Sequence, residues 1–67
     1  MLKTKHPIRL WRLRRQITLR ELALLAEIDE SYLSVIETGN RQASQDVIRR
    51  LSMATGIPQR RIAEFRT

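Results

Sequence analysis

Apolar positions recur along this chain at helical spacing, roughly 100° per residue, and no stretch shows strand-like alternation. Ile8 and Trp11 share a face over about residues 7–15, with Arg12 and Arg15 on its flanks. Leu22, Ala23 and Ala26 form the next face, over about 19–26, and Leu33 with Ile36 the one after, over about 30–37. Val47, Ile48, Leu51 and Ala54 mark a longer segment over about 45–55, and a short one follows at about 59–64. Ile17, Ile28, Ile57 and Ile62 stand at segment ends, where they link one apolar face to the next. The small side chains at 23 and 26 allow two helices to approach closely. The pattern predicts an all-α, compact five-helix domain.

The punctuation agrees with these boundaries. Pro7 suits the first turn of a helix, where its missing N–H is not needed. Thr18 followed by Glu21 is a capping box, in which the hydroxyl and the carboxylate each take an orphan amide. Asp29 and Ser44 are good N-caps, and Asp46 complements the dipole in the first turn of its helix. Gly39 and Gly56 are helix terminators, and Pro58 opens the last segment. No internal repeat or low-complexity stretch interrupts the series.

Size and composition then narrow the possibilities. A chain of 67 residues is a single domain over 1–67. A chain so short hides only ~60% of its unfolded surface, too little for a second unit or a lid over a pocket. Without cysteine, disulfides, thiolate metal sites and thiol catalysis are excluded. One histidine, His6, reads as an exposed residue of an N-terminal arm over residues 1–6, so no metal site, cofactor or catalytic constellation is expected. Three aromatic residues are too few for a single-strand stacking platform. Arginines interrupt any apolar run near the start, so neither a signal peptide nor a membrane span is expected, and the chain reads as a complete cytoplasmic protein. The formal charge is +6, unevenly placed. Residues 1–20 hold seven cations and no acid, residues 21–48 hold six acids and Arg41, and residues 49–67 hold five arginines and one acid. A basic excess of this kind points to a polyanion; its bland alternative is a solvated surface.

The stretch over 18–42 carries the specific signal: Thr18-x-x-Glu21-Leu22-Ala23, then Ile28, then Ser31-Tyr32-Leu33-Ser34-x-Ile36-Glu37-x-Gly39, then Asn40-Arg41. It resembles the lambda-repressor-like (Cro/repressor, XRE-type) helix-turn-helix family, over about residues 8–62. The resemblance implies a helix-turn-helix at about 18–38 that binds double-stranded DNA as a transcriptional regulator, commonly a repressor. Its second helix would lie in the major groove as the reader. On that helix the wheel turns Ser31, Ser34, Val35 and Thr38 outward and puts Glu30 and Tyr32 on the flanks. The base-edge candidates are therefore Glu30, Ser31, Ser34, Val35 and Thr38, with Val35 suited to a thymine methyl. The phosphate candidates are Thr18, Arg20, Tyr32, Asn40, Arg41 and Gln42, with Lys3 and Lys5 on the arm. Each has a plainer reading: Glu30 as a helix-dipole partner, Tyr32 as a cover for the core edge, and half of the arginines as solvated charge.

The resemblance also implies an ion pair between Arg12 and Glu37 that fixes the reading helix to the first. The chain departs from the family pattern at Leu19 for glutamine, Glu27 for glycine, Ala43 for proline and Thr55 for leucine. Family members usually bind palindromic sites as symmetric dimers. The apolar surfaces available for pairing are Leu10, Leu13 and Leu24, or the tail with Ile62 and Phe65, the tail being preferred. Leu10, Leu13, Leu19 and Leu24 also support a rival function, a protein-interaction module on the same fold with an antitoxin or docking role. No small-molecule ligand is expected under either reading.

Overall fold

Why the helices start and stop where they do is visible in their caps. The computed structural model describes residues 5–65, which form α1 (Pro7–Arg14), α2 (Leu19–Ala26), α3 (Glu30–Glu37), α4 (Gln45–Thr55) and α5 (Gln59–Glu64). Among the described residues there is no strand. At α2 the Thr18 hydroxyl accepts from the Glu21 amide at 3.0 Å and the Glu21 carboxylate accepts from the Thr18 amide at 2.7 Å. Asp29 caps α3 through the Tyr32 amide and Ser44 caps α4 through the Val47 amide. Side-chain caps of this kind are each worth ~1 kcal/mol.

Three helices end in the same way. After α1, α2 and α3 a residue in the left-handed region closes the turn, and the next residue donates its amide five positions back. The pairs are Gln16 with Ile17→Arg12, Glu27 with Ile28→Ala23, and Gly39 with Asn40→Val35. Only the third uses glycine. Gln16 (φ 55°) and Glu27 (φ 58°) hold a conformation that disfavours a Cβ. After α4, Gly56 (φ 81°) returns its amide to the Ser52 carbonyl at 2.7 Å. There the Thr55 hydroxyl donates to the Leu51 carbonyl and accepts from the Ile57 amide, which gives this departure from the family pattern a structural job.

Helix α4 lies centrally, against α1, α2 and α5, and α3 packs on α2. Ile8, Leu22, Leu33, Ile36 and Leu51 are fully buried, each contributing roughly 1.5–3 kcal/mol. Ala23, Ala26, Ile48, Ile57 and Ile62 complete the core, while Trp11, Val47 and Ala54 cover its edge half-buried.

Two expectations change. His6 is not an exposed arm residue: it is 4% exposed. Its Nδ1 accepts from the Ile8 amide at 3.1 Å, and its ring packs at 4.6 Å from the Phe65 ring. His6 thus acts as the N-cap of α1, accepting from the second helical residue, while Pro7 at the first position has no amide to satisfy. Ile62 is core and is not available to a partner, while Phe65, half-buried, packs on His6. Leu10 and Leu19 are half-buried, whereas Leu13 and Leu24 remain exposed.

Candidate nucleic-acid interface

Helix α3 is held at both ends. At its start, the α2–α3 turn is braced from α4: Arg50 Nη1 donates to the Glu27 carbonyl at 2.9 Å, and Arg50 Nε is anchored on Asp46 at 2.9 Å. Asp46 also takes Arg49 at 2.6 Å, and the two guanidiniums, Arg49 first, hold its carboxyl below the usual range. At its end, Glu37 is 4% exposed, a carboxylate at the negative pole of a helix and therefore in need of a cation. Arg12 supplies it in a two-pronged geometry, Nε to Oε2 and Nη2 to Oε1, both at 2.9 Å. The bond to Glu37 raises the Arg12 guanidinium above its ordinary value against the opposing effect of burial. Arg12 Nη1 also donates to the Ile17 carbonyl at 3.2 Å, so one side chain secures α3 and the turn after α1. Arg9 adds a weaker attraction to Glu37 from 3.9 Å.

Between these anchors, Glu30, Ser31, Val35 and Thr38 are exposed, and Ser34 and Tyr32 are half-buried. Val35 is 36% exposed on this face. Ser31 makes no side-chain bond among the described residues. Thr38 spends its hydroxyl proton on the Val35 carbonyl at 3.0 Å, which leaves it acceptor capacity only.

The candidates for phosphate contact fall into different environments. Arg20 is exposed and has no acidic partner among the described residues. The Thr18 amide is taken by Glu21, so the capping box closes the donor that the sequence offers to an anion and puts a carboxylate beside it. Asn40 and Arg41 are exposed in the segment after α3. The Arg41 guanidinium stands 5.4 Å over the Tyr32 ring, and the Tyr32 hydroxyl accepts from the Ser44 amide at 3.1 Å. Tyr32 thus ties the segment to α3 while keeping its hydroxyl proton for an outside acceptor. Gln42 is engaged internally, its Nε2 donating to the Ala63 carbonyl of α5. Lys5 is exposed, and Lys3 lies outside the described residues.

Sequence reasoning missed the Arg50 brace, the Gln42 strap and the His6 cap. The Asp46-x-x-Arg49-Arg50 spacing signals the pairs within α4. Nothing local signals that Arg50 reaches the carbonyl of Glu27.

Residues 8–62 match the model of a protein family described as helix-turn-helix. Neither the curated proteins nor the solved structures searched contain a match to the chain.

Proposed function

This chain belongs to the lambda-repressor-like helix-turn-helix family, a family of DNA-binding regulators, and from that membership we propose that it reads double-stranded DNA in a sequence-specific way. The observation that carries the reading is the fixed exposure of Ser31 and Val35 on a helix pinned at both ends. Ser31 can donate to or accept from a base edge, and Val35 can pack on a thymine methyl. Thr38 and Ser34 extend the same face, and Glu30 stands at its start. Arg41, Asn40, Arg20 and Lys5 supply phosphate contacts on either side, with the Tyr32 hydroxyl as a further donor. The regulator acts as a repressor, by occupying a promoter. With Ile62 in the core, pairing on a palindromic site draws on Phe65 and the exposed leucines Leu13 and Leu24. No helix among the described residues is long and apolar enough to cross a membrane.

Selection of binding sites from random duplexes at fixed salt tests the proposal. A recurrent motif with two-fold symmetry is the expected outcome; recovery of unselected sequence would reject specific reading.

A second reading has its own observation. Leu24 and Met53 are 70% and 75% exposed, and Leu25 joins Met53 along a groove between α2 and α4. A protein-interaction module on this fold would use such side chains. Salt separates the readings: DNA binding weakens steeply as salt rises, and an apolar protein contact does not.

A further inference from the structure

The arginines that α3 does not use gather elsewhere. A cavity of about 150 Å³ lies between α1 and α5, with Leu10, Trp11 and Ile57 as its floor and Arg14, Arg15 and Arg61 at its rim. The Arg15 guanidinium sits 4.3 Å over the Trp11 ring. Unlike Arg9, Arg12, Arg49 and Arg50, none of these three has an acidic partner among the described residues. Helix α1 contains no acid, and the one acid of α5, Glu64, forms no ion pair among the described residues. Three arginines thus line one small, partly apolar cavity; like charges held near one another repel, and a bound anion would relieve that repulsion.

No residue of α3 lines the cavity. Arg12 points to Glu37 at the end of α3. Arg14 lies about 200° round the helix from it, on the opposite side of α1. An anion in the cavity would be held by α1 and α5 and not by the side chains of α3.

We infer that the α1–α5 cavity is a second phosphate-binding site. Guanidinium forks pair with oxyanions two oxygens at a time. A planar carboxylate has oxygens for one such fork, whereas a phosphoryl group presents oxygens in several directions and can meet three. The phosphate belongs either to a second stretch of nucleic-acid backbone or to a free phosphate compound. The inference uses no residue of α3 and goes beyond the reading of that helix.

Trp11 is the sole tryptophan and lies in the cavity, so its emission reports this site directly. The intact chain is titrated separately with a short mixed-sequence duplex, with inorganic pyrophosphate and with polyglutamate. A saturable change with duplex alone assigns the polymeric source, and a change with pyrophosphate assigns the free one. Either response should weaken about tenfold in the Arg14→Gln, Arg61→Gln double variant, and for the duplex the salt slope should fall by about two. Both side chains are exposed and have no ion-pair partner among the described residues, so the melting curve should stay in place, and the variant's own melt checks this. Arg41→Ala, on the α3 side, should leave the Trp11 response unchanged even where it weakens DNA binding, which keeps a failure of one site distinct from a failure of the other. No Trp11 response to either phosphate probe, a response unmoved by the double variant, or tighter binding of polyglutamate would overturn the inference.

Discussion

The outward face of α3 and the α1–α5 face are opposites in chemistry. The first presents Glu30, Ser31, Val35 and Thr38, with Asp29 before it and Arg41 after it. The second gathers Arg14, Arg15 and Arg61, with no acid paired to them among the described residues. The acids around α2 and α3 have local work: Glu21 and Asp29 cap helix N-termini, where negative charge is favoured. A helix-turn-helix built on carboxylate caps is less basic as a consequence. The arginines of the α1–α5 face thus lie apart from the α3 side chains suited to discrimination and from the cations that flank them, so their contributions should be separable by mutation.

The sharpest way to break the contrast is to cut the tie between the helices that carry it. Glu37→Ala or Arg12→Ala removes half of the Arg12–Glu37 pair and leaves the other charge in a largely buried place, so either should cost ~3–5 kcal/mol in chemical denaturation. The double variant should recover part of that loss, and a purely additive cycle would refute the coupling.

Next in size is the reading face. Exchanging Ser31 or Val35 should alter the preferred bases by ~1–3 kcal/mol per position in site selection, with little movement of the thermal midpoint. An unchanged motif would move recognition off α3.

Smaller is the strained turn on which α3 begins. Glu27→Gly should stabilise the fold by ~1 kcal/mol, because glycine adopts the left-handed conformation without the Cβ clash. A loss of stability in equilibrium unfolding would mean that the Glu27 side chain matters more than the strain.

Arg41→Ala should reduce the salt slope of DNA binding by about one and weaken all sequences alike, as expected for one phosphate contact. A change in sequence preference would instead make Arg41 a base reader.

The gentlest probe is acid. Burial pushes the His6 imidazole below its ordinary value of 6.5, partly opposed by the Glu37 charge. The folded state then binds fewer protons than the unfolded one. The stability contributed by neutral His6 is present in full above 6.5 and is lost as the pH falls through the lowered folded value. Protonated Nδ1 can no longer accept from the Ile8 amide. His6→Ala should flatten stability against pH in that window, and an unaltered slope would dismiss the buried imidazole as its cause.

What could be read from the sequence follows the range of the forces involved. Thr18, Asp29, Ser44, Gly39 and Gly56 mark helix ends because a cap needs only neighbours within a few residues. The spacing of Leu22, Ala23, Leu33, Ile36 and Leu51 marks inward faces for the same reason, since helical periodicity is a local property. Glu27 is visible in the sequence as a residue where glycine is usual, and its left-handed backbone is the structural counterpart. Gln16 takes the same conformation with no sign in the sequence. The chain must turn there so that Ile17 reaches the core and its carbonyl meets Arg12. At the candidate interface, periodicity alone turns Ser31 and Val35 outward. The placing of Arg41 over Tyr32, the strap from Gln42 to Ala63 and the brace from Arg50 to Glu27 join segments far apart in the chain. His6 is the extreme case: as a residue it suits an exposed arm, and it is buried because Phe65, from the other end of the chain, arrives beside it. Local propensity and periodicity determined the helices and their faces. Which polar side chains are buried, and which arginines are left without a partner, depends on distant groups meeting in space, and only the tertiary structure decided it.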